Sequence, residues 1–454
     1  MKKRIFRAAA FLVLLCVMQL GAAGAAAPQK NEKAPVTANK DSQLKKPEAA
    51  ASADKLKVGL MERQASVTLT ANTAFVVRDV KTNAVLYKMA AGKSLVIRYT
   101  AKGALLNDKA VLGPEWLIEP QKAGENARVK VNGKNYRGRM IVTEKKNGLQ
   151  VVNELLLDEY LYGVVPEEMP PSWGIEALKA QAVAARTFAI YSKNQHQKDG
   201  YDLCSSTHCQ AYDGADGEQA ATNTAVKETS GEILVYGNKP IYAAFHTSSG
   251  GMTENSEDVW GNYQPYLRAA EAYDTAEKSQ QWEKNYTAPE IQVRLQQAGY
   301  NVGVLKSIEL SPLNFKQRKT ADRSVSGRVM IMKFAGSKAT ASLTGLEARK
   351  LFGLPSTLFD IRLKAPQAKN IDISYGNQAK AIKVDLPDSV ETGKLSDAKH
   401  VLSGQGGETV TFAGYGRGHG LGLSQWGAKK MAEKSNYREI LQHFYQNAVL
   451  KKMQ

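Results

Sequence analysis

Residues 172–193 read SWGIEALKAQAVAARTFAIYSK, and this stretch predicts the most regular element of the protein. Strong helix formers fill it, and Ser172 can cap its start. At about 100° per residue, Arg186 falls on the same alanine-rich face as Ala182 and Ala189. A guanidinium buried there without a partner would be very costly, so we expect an acceptor to meet Arg186. The spacing favours a structural salt bridge over an active-site arginine that faces a carboxylate or a substrate.

The segment that overlaps the start of this helix, residues 163–173, reads GVVPEEMPPSW and sets two adjacent glutamates among prolines. Proline fixes φ, lacks an N–H and moves the residue before it out of the helical region. The sequence therefore predicts that Glu167 and Glu168 sit on a stiff, non-helical segment. The prolines concerned are Pro166, Pro170 and Pro171. Two interpretations stay open: a solvated turn, or an acid positioned to transfer a proton.

The rest of the chain predicts an α+β protein with mixed sheets and packed helices. Its 454 residues are enough for two or three domains. Short alternating apolar runs broken by Gly, Asn and Asp predict a β-rich N-terminal module over residues 57–145. Residues 146–285 hold the helix and most motifs, residues 286–365 predict an inserted α/β portion, and residues 366–454 return to the core. In that last part a glycine-rich loop runs into two short helices.

The N-terminus predicts export. Residues 1–27 combine a basic start, an apolar run and small residues, which is the layout of a secretory signal and is short for a membrane span. Whether this segment is removed or stays as a membrane anchor is left open. Residues 28–56 are rich in Lys, Ala, Asn, Gln and Pro, so they predict a disordered basic linker. The expected location is extracytoplasmic, in the cell wall or anchored to the membrane.

The chain is strongly basic, with a net charge of +17. Residues 1–57 contain 11 Lys and Arg against 4 Asp and Glu, so +7 of this charge lies there and +10 in the rest. A basic exported protein suits an anionic surface such as a bacterial envelope polymer or lipid headgroups. Export, and the lack of a motif that interleaves Arg with aromatic residues, exclude nucleic acid as the expected partner.

Residues 204–212, CSSTHCQAY, place two cysteines and a histidine within six residues. A disulfide between Cys204 and Cys209 would persist outside the cytoplasm. The alternative is a zinc ion, which takes thiolate and imidazole ligands and needs four of them. His208 is the histidine of this motif, His196 and His246 are further candidate ligands, and both interpretations stay open. No cofactor is required for activity, and a zinc at this motif would be structural.

Two further polar stretches predict a sugar-binding groove. Residues 245–260, FHTSSGGMTENSEDVW, concentrate short hydrogen-bonding side chains around two glycines, and residues 414–427, GYGRGHGLGLSQWG, hold enough glycine for close backbone approach. Neither contains the G-x-S-x-G serine elbow or the Lys-Ser/Thr ending of a phosphate loop. A packed turn whose histidine bonds the backbone stays an alternative for the second stretch. The residues expected to line the groove are His246, Ser248, Ser249, Ser256, Asp258, Trp260, His419, Ser424 and Gln425.

Four stretches, taken in order, resemble the SpoIID/LytB family: YLYGVVPEEMPPSWGIEALKAQAVAARTFAI, CSSTHCQAY, HTSSGGMTENSEDVWG and GRGHGLGLSQWGA. The resemblance implies a lytic transglycosylase, which cuts the bond between N-acetylmuramic acid and N-acetylglucosamine of peptidoglycan without water and leaves a 1,6-anhydro ring. It assigns the acid/base role to Glu168 and the second essential role to Arg186. It also implies glycan strands stripped of peptides by an amidase partner, and a zinc at the cysteine motif of some members.

A single carboxylate is enough for this chemistry. Hydrolases flank the scissile bond with two, because one must activate water or attack the sugar. A lytic transglycosylase uses the 6-hydroxyl of its substrate as the nucleophile, so Glu168 can give a proton and then take one. We therefore expect desolvation to raise the pKa of Glu168, and Arg186 to hold a substrate oxygen or a second acid.

Two other functions fit the same residues. The first is a non-catalytic protein that binds the wall and stimulates an N-acetylmuramoyl-L-alanine amidase, since the LytB side of the family is described as an amidase modifier. The second is a zinc amidase or peptidase that uses Cys204, His208 and Cys209. This one is disfavoured, because two thiolates quench the Lewis acidity of the metal.

Overall fold

The computed structural model describes residues 55–110, 113–122, 124–275, 277–364, 398–403 and 408–453, together with the backbone of 374–375 and 378–379. The secretory signal or anchor predicted at residues 1–27 lies outside these ranges, as does all but the last two residues of the linker predicted at residues 28–56. Within the described ranges, none of the helices combines the length and hydropathy that a membrane span requires.

Helices and several separate sheets both contribute, which confirms the predicted α+β class. The helices of the described residues are α1 (Leu157–Glu168), α2 (Ile175–Tyr191), α3 (Ala220–Glu228), α4 (Ser256–Trp260), α5 (Ala288–Gln297), α6 (Gly345–Leu351), α7 (Gln425–Met431) and α8 (Tyr437–Phe444). Short 3-10 turns occupy Gln197–Asp199 and Lys278–Gln280.

The strands, in chain order, are β1 (Lys55–Gln64), β2 (Ser66–Ala71), β3 (Phe75–Asp79), β4 (Val85–Met89), β5 (Leu95–Arg98), β6 (Leu105–Leu106), β7 (Lys109–Ala110), β8 (Glu115–Pro120), β9 (Val129–Val131), β10 (Lys134–Tyr136), β11 (Arg139–Lys145), β12 (Gly148–Leu156), β13 (Leu203–Cys204), β14 (Glu232–Tyr236), β15 (Lys239–Pro240), β16 (Phe245–His246), β17 (Gln281–Thr287), β18 (Leu305–Glu309), β19 (Ile331–Gly336), β20 (Thr340–Thr344), β21 (Phe359–Lys364), β22 (Ser374–Tyr375), β23 (Gln378–Ala379), β24 (Lys399–Val401), β25 (Thr409–Tyr415), β26 (Leu423–Ser424) and β27 (Val449–Lys452).

Two sheets form the N-terminal part of the fold. The larger has the strand order β13–β1–β12–β11–β8–β3–β4, and the smaller has the order β10–β9–β2–β5–β6–β7. Buried and exposed side chains alternate along the strands, so one face of each sheet packs against the core. In β2 the side chains of Val67, Leu69 and Ala71 are buried, whereas the residues between them are more exposed. Strand β13 pairs in parallel with β1 at the edge of the larger sheet, which attaches the cysteine segment to the N-terminal part.

Helix α2 lies between two hydrophobic cores and is buried on most of its surface. Ala182, Ala185 and Ala189 belong to the core shared with the N-terminal sheets and α1. Leu178 and Val183 belong to the core that α7 and α8 complete. The small alanine side chains let neighbouring elements approach closely, because the distance between packed helices depends on the side chains at the contact. The predicted helix is therefore the central element of the fold.

Helix α1 carries the glutamate pair, so the predicted non-helical segment is wrong. Glu167 and Glu168 form the end of this helix, and Pro166 lies inside it. Proline has a φ that a helix accepts, but it disfavours the helical conformation of the residue before it. That residue, Val165, is fully buried in the N-terminal core. Hydrophobic packing therefore outweighs the local preference at this position.

At the end of α1, a proline does move the residue before it out of the helical conformation. Met169, which precedes Pro170, is extended at φ −132°, and its N–H closes the helix on the carbonyl of Val165. The next helix begins at Ile175 with Gly174 as its N-cap and without a side-chain cap. The predicted cap by Ser172 is therefore wrong, and the two helices meet through a short proline-containing turn.

The portion predicted as inserted, residues 286–365, contributes α5, α6 and strands β18 to β21. It packs around a third core that includes Phe334, Phe352 and Phe412. Strand β25 runs between β17 and β21 in a three-stranded sheet and leads directly into the glycine-rich loop. The insert therefore fixes the strand from which that loop departs, while the domain boundaries stay predictions.

Candidate active site

The carboxyl of Glu168 is partly buried at the end of α1. The side-chain amide of Gln425 donates a hydrogen bond to its Oε2 over 3.1 Å, and the backbone N–H of Ala211 donates to the same carboxyl. Burial raises the pKa of Glu168, these two donors lower it by less, and the charge of the exposed Glu167 adds to the rise. The net direction agrees with the expectation from the sequence. Glu168 therefore keeps its proton to a higher pH than an exposed glutamate does.

Gln425 reaches this position because the glycine-rich loop folds back along the residues around His246. Strand β26 pairs in parallel with β16, with Ser424 in register with His246. Gly418 has φ +109°, and a Cβ at this position would lie 2.6 Å from the Cβ of His246. Only glycine accepts both the conformation and the contact. The close backbone approach predicted for this stretch is confirmed.

A buried carboxylate, Asp274, holds the two loops together. Its Oδ2 accepts hydrogen bonds from the hydroxyls of Ser248 and Ser424, over 2.8 and 2.9 Å, and from the N–H of Ser249 over 2.8 Å. Its Oδ1 accepts the N–H of Gly251 over 2.6 Å. Four donors satisfy this carboxylate within the protein. The two serine hydroxyls therefore hold the loops in place through Asp274.

The two histidines of these loops are held uncharged. His246 Nε2 lies 2.8 Å from the hydroxyl oxygen of Ser249, and its Nδ1 lies 3.1 Å from the carbonyl oxygen of Leu421. His419 accepts the N–H of Leu421 over 3.0 Å, as the packed-turn alternative predicts. Burial lowers the pKa of His246, and it lowers that of His419 to about 4, with the charge of Arg328 adding to both effects.

Most residues predicted to bind sugar are buried. Those with side chains that are almost completely enclosed are His246, Ser248, Ser249, Ser256, Ser424 and Gln425. Asp258, Trp260 and His419 are partly exposed. Direct sugar contact by the buried serines is therefore not supported, and the partly exposed residues are the better candidates for it. The ring of Trp260 lies 5.5 Å from that of His419, measured between centroids.

Arg186 is fully buried and forms an ion pair with Asp158, whose Oδ1 lies 2.9 Å from its Nε. Its other partners are the carbonyls of Val226 and Glu232 and the hydroxyl of Thr229. Asp158 lies in the first turn of α1, and Glu168 lies in the last. The pair therefore fixes the helix that carries Glu168 against α2. No hydrogen bond or ion pair joins Arg186 to Glu168 among the described residues, and its geometry is that of a positioning residue.

A second cluster unites His196, Cys204, His208 and Cys209. Their candidate ligand atoms all lie within 4.8 Å of one another. The sulfurs of Cys204 and Cys209 lie 3.7 and 3.6 Å from Nδ1 of His208. Both thiols are free, so the geometry is not that of a disulfide. The two cysteines, His208 and His196 therefore lie together, whereas His246, which was also considered from the sequence, contacts Ser249 and Leu421 instead.

The cluster fits a zinc ion. The Nε2 atom of His196 is buried without a hydrogen-bond partner among the described residues, while its Nδ1 is 2.9 Å from a carboxylate oxygen of Asp199. Histidines that bind metals commonly use their second nitrogen in this way. Two thiolates and two imidazoles form the closed four-ligand set that is typical of structural zinc. The segment also contains Ala211, whose N–H donates to Glu168.

The inserted portion supports the same loops through buried polar contacts. The fully buried Arg328 donates from Nη2 to the carbonyl of Ser249 over 2.9 Å. Glu254 accepts the hydroxyl of Ser326 over 2.5 Å. A Cβ at Gly420 would lie 2.4 Å from Nε of Arg328, so the absence of a side chain makes room for the guanidinium. The insert is therefore part of the frame of the site.

Two tryptophans and a lysine, which we call the Lys429 cluster, adjoin Gln425. The rings of Trp173 and Trp426 meet edge to face with centroids 5.0 Å apart. The Nζ atom of Lys429 lies 4.1 Å from the ring centroid of Trp426 and 5.1 Å from that of Trp173. All three side chains are partly exposed. This cluster forms an aromatic and cationic surface beside Gln425, the residue that bonds Glu168.

Several residues of these sites were not predicted, among them Asp158, Asp199, Asp274, Arg328 and Lys429. Asp199 follows His196 by three positions, a spacing that could have indicated a carboxylate supporting a ligand histidine. Asp274 gives no local signal, because its partners Ser249 and Ser424 are 25 and 150 positions away. Asp158 likewise pairs with a residue 28 positions further on.

The chain is similar in sequence to a protein family and to several known proteins. A family model described as SpoIID, stage II sporulation protein, matches residues 145–236, which include α1, α2 and the cysteine segment. An uncharacterized protein of Brachyspira hyodysenteriae is 30% identical over 320 residues, covering 69% of this chain and 72% of that protein. The stage II sporulation protein D of Bacillus amyloliquefaciens is 29% identical over 65% of this chain and 74% of its own. The amidase enhancer of Bacillus subtilis is 28% identical over 73% of this chain and 46% of its own.

Proposed function

Because the chain belongs to the SpoIID family, we propose that it acts on the bacterial cell wall as a lytic transglycosylase. The names of two relatives, stage II sporulation protein D and amidase enhancer, support the wall-related role. The proposed substrate is the glycan strand of peptidoglycan after its peptides have been removed. The proposed products end in a 1,6-anhydro ring of N-acetylmuramic acid.

The observation that carries this proposal is the setting of Glu168. Burial raises its pKa, and its side-chain hydrogen-bond partner is the neutral amide of Gln425. A carboxyl in this setting keeps its proton to a higher pH than an exposed glutamate does, which favours the role of general acid. Glu167, the acid whose charge raises this pKa, is exposed at the surface. One acid that both gives and takes the proton is enough for a reaction without water.

The proposed reaction has two proton transfers and consumes no water. Glu168 gives its proton to the glycosidic oxygen as the bond from that oxygen to C1 of the muramic acid breaks. The 6-hydroxyl of the same sugar then forms a bond to C1 and returns its proton to the carboxylate. Between these steps the donors from Gln425 and Ala211 stabilise the carboxylate, because charge-assisted hydrogen bonds are the stronger ones.

The remaining parts of the proposal concern location, metal and partner. The proposed location is outside the cytoplasm, in the wall or on the membrane, and the signal-like sequence of residues 1–27 supports it. A structural zinc held by His196, Cys204, His208 and Cys209 would fix the segment that donates to Glu168. An amidase that strips peptides is the proposed partner, since it would supply the substrate.

The second candidate function is a wall-binding protein that stimulates an amidase without cleaving glycan. The relative named amidase enhancer favours it. The zinc amidase alternative is weaker, because four protein ligands leave no open position for water on the metal. The two main candidates differ in whether the purified protein alone changes a glycan.

The test is digestion of peptide-free glycan by the purified protein, with products separated and weighed by mass spectrometry. We expect fragments one water lighter than the corresponding hydrolysis products. Glu168→Gln should reduce their release by at least about a hundredfold, because it removes the general acid. Glu167→Gln is the matched control and should stay close to the wild-type rate, since its side chain is exposed.

Two results would contradict the proposal. If the wild-type protein releases no fragments but accelerates an added amidase, the enhancer function is correct. If Glu168→Gln digests the glycan as fast as the wild type, the role assigned to Glu168 is wrong.

A further inference from the structure

Lys429 is a cation with no carboxylate partner among the described residues. Its neighbour Lys430 pairs with Glu433 over 2.7 Å, and Lys179 pairs with two glutamates. Lys429 instead lies against the rings of Trp173 and Trp426. An aromatic face holds an ammonium group without neutralising it. The positive charge of Lys429 therefore stays available to an anion from outside the protein.

The position of Lys429 connects this charge to the candidate acid. Gln425 and Lys429 are four residues apart in α7, so they share one face of the helix. Gln425 uses that face to reach Glu168. Trp173 lies in the turn between Glu168 and α2. Lys429 therefore lies one helical turn from the residue that bonds Glu168, and Trp173 follows Glu168 by five positions in the chain.

We propose that the Lys429 cluster is a subsite for a muramic acid residue whose lactyl group ends in a free carboxylate. This inference rests on the proposed function and adds a determinant of substrate choice to it. Muramic acid carries a lactyl ether at its 3-oxygen. The lactyl carbonyl is an amide while a peptide is attached, and it becomes an anionic carboxylate once the peptide has been removed. N-acetylglucosamine has no such group.

Each part of the cluster matches one part of this ligand. A tryptophan face accepts the apolar side of a sugar ring, as aromatic side chains do with flat apolar surfaces. The ammonium of Lys429 offers N–H donors to the carboxylate, in a charge-assisted hydrogen bond. An amide at the same place would present no charge and would extend into a bulky peptide. The subsite therefore selects strands without peptides and sets which sugar of the repeat lies there.

Binding to two chemically matched glycans tests the subsite. The probes are peptide-free glycan and the same glycan after its lactyl carboxylates have been converted to methylamides. All binding variants carry Glu168→Gln so that the glycan stays intact, and tryptophan fluorescence and calorimetry report affinity. Lys429→Gln should weaken binding of the carboxylate glycan roughly tenfold and leave the methylamide glycan unchanged. Trp173→Ala should weaken both equally.

Lys430→Gln is the matched control, because it removes the neighbouring charge from a different face of α7. It should change the binding of both glycans alike and only slightly. Lys429→Arg should restore most of the preference for the carboxylate form. Thermal unfolding of every variant shows that the fold is kept.

The outcomes separate this inference from the proposed function. If Lys429→Gln weakens both glycans equally, or neither, the subsite is wrong even where the wild type releases anhydro products. If the wild type releases none but the carboxylate preference is present and depends on Lys429, the subsite stands and the proposed reaction fails.

Discussion

The side chains of Glu168 and Gln425 are joined by a 3.1 Å hydrogen bond, although 257 positions separate them in the chain. The bond connects the end of α1 to the start of α7, so the candidate acid and its donor come from distant parts of the sequence. The donor favours the charged form of Glu168 and so opposes the effect of burial on its pKa. Gln425 lowers the pKa of Glu168 and the charge of Glu167 raises it, so removing each of them should shift this pKa in opposite directions.

Gln425→Leu should raise the pKa of Glu168 further, because it removes a hydrogen bond that lowers this pKa. A general acid must be protonated, so the basic limb of the pH–rate profile should move to higher pH. The maximal rate should fall roughly ten- to hundredfold, because the carboxylate formed in the first step loses a charge-assisted bond. The measurement is the pH dependence of kcat/KM on peptide-free glycan.

Glu167→Gln should move the same limb the other way. It removes a nearby negative charge that raises the pKa of Glu168, so the acid loses its proton at lower pH. Its maximal rate should stay close to that of the wild type. Shifts in the same direction for both variants would show that the basic limb does not report Glu168.

Arg186→Met should destabilise the protein by about 3–5 kcal/mol, because Asp158 and several buried acceptors lose their partner. Urea unfolding gives this free energy. Asp158→Asn should cost less, since Asp158 is partly exposed and asparagine keeps an acceptor for Nε. The folded fraction of Arg186→Met should keep most of its affinity for glycan.

The double variant Arg186→Met/Asp158→Asn distinguishes positioning from substrate binding. The two losses of stability should be less than additive, because both variants remove one interaction. A normal free energy of unfolding, together with a large loss of glycan affinity in Arg186→Met, would instead make Arg186 a substrate-binding residue.

Gly420→Ala should be more destabilising than Gly261→Ala. Both glycines have a left-handed φ, +84° and +75°, which should cost about 1–2 kcal/mol in either variant. A Cβ at Gly261 meets nothing within 4 Å, whereas a Cβ at Gly420 meets the buried guanidinium of Arg328. The overlap should add about 1–3 kcal/mol at Gly420 alone. Equal losses of unfolding free energy in the two variants, measured with denaturant, would show that Arg328 moves aside for the added Cβ at Gly420.

The cluster of His196, Cys204, His208 and Cys209 predicts that each chain binds about one zinc ion and that chelation lowers the melting temperature of the protein. His196→Ala should remove a ligand, and Asp199→Ala should lower zinc affinity roughly 10- to 100-fold, because it removes the group that orients His196. Competition with a chromophoric chelator measures both. His443→Ala, outside the cluster, is the control. Unchanged affinity in Asp199→Ala would show that this carboxylate does not support the metal.

The sequence predicted α2 and the acceptor of Arg186 because both depend on local information. Helix propensity and spacing are properties of neighbouring residues, and the cost of burying a guanidinium is general. The identity of the acceptor was beyond such reasoning, because Asp158 comes from another helix. The raised pKa of Glu168 and its cause, desolvation, were both predicted from the chemistry that the family resemblance implies, and the structure agrees with both.

What the sequence could not predict was set by tertiary packing. Pro166 argued against a helix, yet the burial of Val165 keeps α1 intact through it. The serines near His246 have the side chains of a sugar-binding loop, but Asp274 turns Ser248 and Ser424 inward. Polar residues on a loop look alike in a sequence, whether they face a ligand or a buried carboxylate.

The distance in sequence between Glu168 and Gln425 also orders events during synthesis of the chain. A ribosome adds about 5–20 residues per second, so Gln425 follows Glu168 by roughly 10–50 s. Throughout that interval the nascent chain holds the acid without its amide donor. The hydrogen-bonded setting of Glu168 is therefore completed only after residue 425 has been added.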